Sequence, residues 1–344
     1  MKKLLNTLFV TTESAYISLD GENIVITKAK EEIGRFPLHI LQGIVSFSYA
    51  GASPALMGAC AERNIGLAFC TPRGRFLARV ANQNNGNVIL RKTQYLISED
   101  LEKSCKIAKM MIIGKLFNSK QSIERTIRDN QMRVDIEKLK DVSTKLKQSC
   151  SAIYDVTNLD TLRGIEGNLA NQYFSVFDEM ILNSDKETFY FQARNRRPPL
   201  DPCNALLSFS YSLLANDCAS ALESVGLDSY VGFMHKDKSG RESLSLDLME
   251  ELRPCLADRF VLSLINNRIV SKEDFDYLES GAVILNENGR KKFLKKWQDK
   301  KQDELTHPYL KEKVQWGMIP YIQALLLARY IRNDLDEYPP FLWK

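Results

Sequence analysis

The chain has 344 residues, 44% of them hydrophobic, and its 47 Lys and Arg against 43 Asp and Glu leave a formal net charge of only +4. That length exceeds the usual single core, so two domains are expected, and the near-neutral balance excludes a uniformly basic coat: electrostatic attraction must come from local clusters. No run of about 18 apolar residues exists, which excludes a membrane-spanning helix, and the basic start Met1-Lys2-Lys3 lacks the apolar core of a signal peptide.

Residues 8–80 carry short β-like runs separated by turn signals. Residues 8–10, 15–19, 23–27 and 40–47 are rich in β-branched and aromatic side chains, and Asp20-Gly21 gives a hairpin signal. Ala, Leu and Met dominate residues 54–63, predicting one helix; residues 66–70 and 76–80 read as a hairpin around Pro72-Arg73-Gly74. The Asn-rich stretch 82–87 reads as a linker. Beyond it the pattern becomes helical, with apolar residues at Ile107, Met110, Met111 and Leu116 and a 3.6-residue period over 132–153. Pro198-Pro199, Pro202 and Pro339-Pro340 punctuate the remainder, and Asn286 to Gly289 reads as a turn before a basic segment. The expected class is α+β: a small N-terminal β-sheet domain over residues 1–81, a linker over 82–87, and a larger all-α C-terminal domain over 88–344.

Seven cysteines, Cys60, Cys70, Cys105, Cys150, Cys203, Cys218 and Cys255, form no C-x-x-C pair. Their odd number fits reduced, mostly buried thiols and a cytoplasmic protein. Candidate chemistry lies elsewhere. His235 is followed by Asp247 and Glu250, which share a face if that segment is helical, while Pro254 removes the hydrogen bond that the Glu250 carbonyl would receive. Glu166 stands between glycines in Arg163-Gly164-Ile165-Glu166-Gly167, each of which costs a helix about 1 kcal/mol relative to alanine. Close approach of backbone or phosphate would explain those glycines, and so would tight packing. One imidazole with several carboxylates and no thiolate suits Mg²⁺ or Mn²⁺ better than zinc. A structural His235 with solvated carboxylates is the competing reading.

Two basic groups are candidate nucleic-acid contacts. Arg194, Arg196 and Arg197 crowd a proline-stiffened loop downstream of Phe189-Tyr190-Phe191, and Lys291, Lys292 and Lys295 belong to a basic run that reads equally well as a solvated helix face. There is no phosphate-binding G-x-x-x-x-G-K-[ST] loop, no G-x-S-x-G elbow and no thiolate set for zinc.

The segments Arg163 to Gly167, Arg196-Arg197-Pro198-Pro199-Leu200-Asp201-Pro202-Cys203-Asn204-Ala205-Leu206-Leu207 and residues 232–254 together resemble the CRISPR-associated integrase family that captures new spacers, in the form found with subtype I-C systems. The resemblance implies a β-domain followed by a helical domain and a dimer-forming subunit. It implies Mg²⁺ or Mn²⁺ held by Glu166, His235 and Glu250, with Asp247 as the accompanying carboxylate. It also implies double-stranded DNA as substrate, both spacer precursor and CRISPR repeat, and a small CRISPR-associated protein bridging two dimers. The loop after His235 lacks the proline of many relatives, and some relatives have aspartate where Glu250 stands. The expected reaction is metal-dependent attack of a DNA 3′-hydroxyl on a phosphodiester, with Arg194, Arg196, Arg197 and Arg241 positioning phosphates. A stand-alone metal-dependent nuclease and a non-catalytic nucleic-acid scaffold are the alternatives.

Overall fold

The computed structural model describes residues 6–63, 65–72, 76–80 and 88–344. The expected linker over 82–87, the Arg73-Gly74 turn and the first five residues lie outside the described part. The chain packs as two compact units, Met1–Gly86 with Leu294–Gln302, and Asn87–Phe293 with Asp303–Lys344.

In the first unit, β1 (Asn6–Val10), β2 (Tyr16–Asp20), β3 (Asn23–Lys28), β4 (Glu31–Pro37), β5 (Leu41–Ser46), α1 (Pro54–Glu62), β6 (Gly66–Cys70) and β7 (Phe76–Val80) follow one another. They form a β1-β5-β6-β7 sheet and an antiparallel β2-β3-β4 sheet. β5 pairs in parallel with both β1 and β6, and β7 closes antiparallel on β6. Asp20 pairs with Asn23, so Gly21 and Glu22 make the two-residue turn, and Gly21 takes a φ of 56° that favours glycine. Ile17, Ile24, Ile26, Ile44, Leu56 and Leu67 pack into one core. Ser53 starts α1 by accepting from the Leu56 amide at 3.2 Å, with Pro54 in the first turn where no amide is needed.

The second unit is mainly helical. Its helices are α2 (Val88–Glu99), α3 (Leu101–Asp129), α4 (Ile136–Ile153), α5 (Leu159–Ser175), α6 (Pro202–Ser224), α7 (Ser243–Glu250) and α8 (Arg259–Asn266). Asp100, Asp135, Asn158 and Asp201 each cap the helix that follows through a side-chain oxygen. The all-α expectation needs one refinement, because two short hairpins interrupt the helices: β8 (Phe275–Tyr277) with β9 (Val283–Leu285), and β10 (Glu304–Thr306) with β11 (Lys313–Gln315). Between them runs α9 (Glu287–Gln302), and α10 (Ile319–Ile331) follows. Asn286 to Gly289 is a helix start, not a turn: the Asn286 side chain accepts from the Gly289 amide at 3.0 Å, so Gly289 lies inside α9. Among the described residues no helix is long and apolar enough to cross a membrane.

α3 is the central helix of this unit, buried along most of its length. Gly114 lets it approach the segment after α7, since a Cβ there would lie 2.8 Å from the Glu251 Cβ. Glu251 accepts from the Tyr338 hydroxyl at 2.5 Å, the Gln323 amide at 3.0 Å and the Phe341 backbone at 2.7 Å, tying residues 338–341 to the helical core. His307 extends the network. Its Nδ1 accepts the Tyr309 and Leu310 amides at 3.3 and 3.2 Å, which places the proton on Nε2, 3.1 Å from the Gln323 Oε1.

Burial pushes the His307 imidazole down to about 4 from 6.5. Between those values the unfolded chain binds the proton and the native protein does not, so the stability present above pH 6.5 is lost as the pH falls towards 4. Chemical denaturation of the wild type and His307→Gln at pH 7.5 and pH 5 should show the wild type losing about 2 kcal/mol more than the variant, each tenfold difference in proton affinity being worth about 1.36 kcal/mol. Equal losses would show that His307 is protonated in the fold.

Candidate functional site

One face of α3 supplies polar groups to an otherwise apolar interior. Lys115, Asn118, Ser119 and Ser122 recur at helical spacing and are all buried. The Lys115 ammonium, its side chain only 10% exposed, pairs with Glu166 of α5 and lies 2.7 Å from Glu250 Oε2 of α7. Arg253 Nη1 meets the other Glu250 oxygen at 2.9 Å. Burial alone would push the lysine down, but the charges of Glu250 and Glu166 outweigh it and hold the ammonium above its ordinary value. Glu250 is buried as well, which by itself raises a carboxyl; Arg253, Lys115 and His235 outweigh that effect and lower it. The pocket therefore keeps the Glu250 carboxylate ionised.

His235 stands in the loop between α6 and α7, where it lines a separate cavity with Asp160, Arg163 and Lys236, and its charge acts on Glu250. Asp247, with no exposed surface, accepts the Phe233 and Met234 amides at 2.6 and 2.9 Å on one oxygen. Its other oxygen receives the His235 amide at 3.0 Å and the His235 Nδ1 at 2.6 Å. The backbone must come close to do this: a Cβ on Gly232 would stand 2.8 Å from both Asp247 Oδ2 and the Ser243 Cβ. Arg163 of α5 grips the same loop, donating from Nε to the Met234 carbonyl at 2.8 Å. In the neutral form with Nδ1–H directed at Asp247, the imidazole lone pair is on Nε2. Asp247 is thus a positioning carboxylate whose two oxygens already have four donors.

Helical geometry changes just after Glu250. Pro254 has no amide to give, and the chain passes through a π-helical stretch, Arg253–Asp258, before α8. Side chains of α3 satisfy the loosened backbone, Asn118 donating to the Glu251 carbonyl at 2.6 Å and Ser122 to the Pro254 carbonyl at 3.1 Å. The wider turn carries Arg253 back onto Glu250.

The donor chemistry fits a hard divalent cation. Glu166 and Glu250 converge on a cation already, the Lys115 ammonium, and Glu250 Oε2 is buried without an aligned hydrogen bond despite its proximity to that ammonium. Among the described residues no three His, Cys, Asp or Glu side chains stand ready as a ligand group, and Lys115 lies between the two carboxylates. The flanking glycines do not serve packing within the chain: a Cβ at Gly164 or Gly167 would meet nothing within 4 Å.

A cavity of about 210 Å³ opens beside this cluster, lined by Lys115, Glu166, Arg194, Arg196, Tyr211 and Arg253 among others. Arg194 is held inward by Asn204 Oδ1 at 2.6 Å and Ser208 at 3.1 Å, with its guanidinium 5.3 Å from the Tyr211 ring. Tyr211 donates to buried Asp258 at 2.6 Å, and burial pushes that carboxyl up to about 6. Arg196 and Arg197 are exposed, and Arg241 is half-buried, 3.4 Å from the Ser243 hydroxyl. Of the second basic group, Lys291 pairs with Glu287 at 2.7 Å and Lys292 with buried Asp274 at 2.8 Å, leaving Lys295 exposed in the segment that belongs to the first unit. Sequence reasoning missed Lys115, Arg253 and Arg163. The available signal was a lone charge inside Met110-Met111-Ile112-Ile113-Gly114-Lys115-Leu116, and an arginine three residues after Glu250.

Residues 8–299 match the family described as CRISPR associated protein Cas1. The chain is 45% identical over 344 residues, all of both chains, to the CRISPR-associated endonuclease Cas1 1 of Chlorobaculum tepidum. Among solved structures, a casposase bound to integration product is similar in fold, with a TM-score of 0.81 at 24% identity over 99% of this chain and 95% of that one. A Cas6-RT-Cas1–Cas2 complex gives a TM-score of 0.80 at 22% identity, covering 100% of this chain and 36% of that one. The family match over most of the sequence and the full-length relative show that the chain belongs to the Cas1 family of CRISPR-associated proteins.

Proposed function

We propose that the protein is a metal-dependent DNA integrase that inserts new spacer DNA into a CRISPR array. The observation that carries this reading is the convergence of Glu166 and Glu250 on one buried cationic position; the His235 imidazole, whose charge acts on Glu250, has its orientation fixed by Asp247. Glu166, Glu250 and His235 Nε2 would hold Mg²⁺ or Mn²⁺, which supplies charge stabilisation at a phosphodiester and a lowered pKa for an attacking hydroxyl. Lys115 and Arg253 are the chain's own counter-charges in the same pocket, placed to offset negative charge developing on a phosphate. Asp247 keeps His235 in one tautomer and rotamer. Arg196 and Arg197, exposed at the cavity's approach, are suited to the DNA backbone.

In this reading the 3′-hydroxyl oxygen of a spacer precursor bonds to phosphorus at a repeat boundary as the bond to the departing 3′-oxygen breaks, so no protein nucleophile is needed. One structural neighbour is a casposase bound to integration product, and another holds Cas1 in a complex with Cas2. The first supports DNA as substrate and the second a small Cas partner here; double-stranded DNA and a homodimeric subunit belong to the same proposal. The motifs over residues 163–167, 196–207 and 232–254 favour the form found with subtype I-C systems.

With the partner protein, supercoiled array plasmid and Mn²⁺, duplexes bearing free 3′-hydroxyls should be joined and blocked ends should not. Glu166→Ala should retain DNA binding and lose joining. Cleavage indifferent to blocked ends would instead identify a stand-alone nuclease, and unimpaired joining by the variant would remove Glu166 from the site. Asp247→Asn, which cannot accept from the His235 ring in the same way, should weaken Mn²⁺ binding about 10- to 100-fold, the range typical of lost outer-shell partners; unchanged affinity would mean that His235 is not a ligand. Lys115→Met removes the resident cation, so Mn²⁺ binding measured by electron paramagnetic resonance without DNA should tighten by about tenfold or more, about 1.4 kcal/mol being tenfold. Weaker binding in a folded Lys115→Met protein would show that the lysine assists the metal.

A further inference from the structure

A second cationic feature lies farther along α3, outside the cluster of Lys115, Glu166 and Glu250. A groove of about 270 Å³ is bordered by Arg125, Asp129, Leu182, Arg259 and Asn267, among others. Arg125 and Arg259 lean on the same indole, their guanidinium carbons 5.7 and 5.3 Å from the Trp343 ring centre. The ring is held by its own backbone, because the Trp343 amide donates to Asn118 Oδ1 at 2.8 Å. Two like charges are therefore gathered on one aromatic ring.

Their neutralisation is incomplete. Asp129, the carboxylate bordering the groove, is already engaged by Arg125 Nε at 3.3 Å and Arg128 Nε at 3.1 Å. Arg133 adds a fourth guanidinium at the rim, donating to the Leu182 carbonyl at 2.6 Å. Among the described residues Arg259 has no carboxylate within ion-pair distance, and burial together with the Arg125 charge pushes it down to about 10. An arginine depressed in this way gains from any anion that enters. The nearest alternative, that the pair merely covers Trp343, explains the stacking but leaves the repulsion between them only partly offset by Asp129.

Arg125 is ten residues beyond Lys115 on the same helix, a rise of about 15 Å at 1.5 Å per residue. A duplex spaces the phosphates of one strand by about 3.4 Å along its axis, so on a duplex running along α3 the groove would be roughly four base pairs from the reacting position. We propose that Arg125 and Arg259, aligned by Trp343, form a phosphate-binding subsite that takes a backbone phosphodiester of the DNA on which the site acts. The proposal rests on the DNA-joining reading for its ligand, and its spacing follows from the shared helix.

The test is binding of a fluorescein-labelled 30-base-pair duplex to the full chain, followed by anisotropy from low to high KCl. Arg259→Gln should weaken binding several-fold and reduce the magnitude of the slope of log K against log salt by about 0.9, the value for one lost phosphate contact. Arg125→Gln should do the same, and because Arg125 is exposed it carries the test if the Arg259 variant fails to fold by thermal melting. Two folded variants with wild-type affinity and slope would overturn the subsite. Loss of stabilisation by inorganic phosphate with DNA affinity intact would overturn it too, by assigning the groove to free phosphate. Wild-type protein that binds DNA with the steeper slope yet joins nothing would uphold the subsite while removing the strand-transfer reading, and wild-type protein that binds no DNA would remove both.

Discussion

A charged lysine buried between two glutamates sets the terms for the helical unit. Removing an ammonium from water costs several kcal/mol unless opposite charges and hydrogen bonds replace the hydration, and here Glu166, Glu250 and Arg253 are drawn to the same point from three different segments. The arrangement balances, two cations against two carboxylates, and the two cations hold the buried Glu250 carboxyl below its ordinary value. Each member is costly alone. The Glu250 carboxylate stays ionised because cations are present, and a buried, partly unsatisfied carboxylate is what a hard metal requires.

That balance depends on how the chain passes the cluster. An uninterrupted α-helix through Pro254 would place a proline ring against the preceding turn; the π-helical stretch avoids this and returns Arg253 to Glu250. The carbonyls freed by the widening are those met by Asn118 and Ser122. The same face of α3 that brings Lys115 to the carboxylates therefore also repairs the backbone that presents one of them. Asn118 reaches further, accepting the Trp343 amide while donating to the Phe341 carbonyl at 2.8 Å.

Much of this site was legible from spacing. Asp247 and Glu250, three residues apart, had to share a face, and Pro254 had to disturb the helix after them. Their division of labour was not legible, because an i, i+3 pair looks the same whether both carboxylates face an open site or one is enclosed by backbone amides; Gly232, which permits that enclosure, was only one glycine among many. Lys115 was hidden for the opposite reason. A single lysine in an apolar helix normally extends its amine to solvent, and only the fold shows that its partners, Glu166 and Glu250, come from distant helices. The basic run after Gly289 overstated its free charge for a related reason: the buried partner of Lys292, Asp274, belongs to the approach to a hairpin whose three-residue strands carry too little periodicity to be recognised.

The polar face of α3 also explains why a helix so deeply buried is not simply apolar. Lys115, Asn118, Ser122 and Arg125 advance along it in steps of three or four residues, and they meet in turn the carboxylate pair, the Glu251 carbonyl, the Pro254 carbonyl and the indole of Trp343. A rigid rod of this kind fixes the separation between the charges it carries, because an α-helix cannot lengthen without breaking its hydrogen bonds. Loops could supply the same charges but not the same spacing. Two cationic positions on one buried helix make a gauge with a set interval, suited to a polymer whose own charges recur at a regular rise.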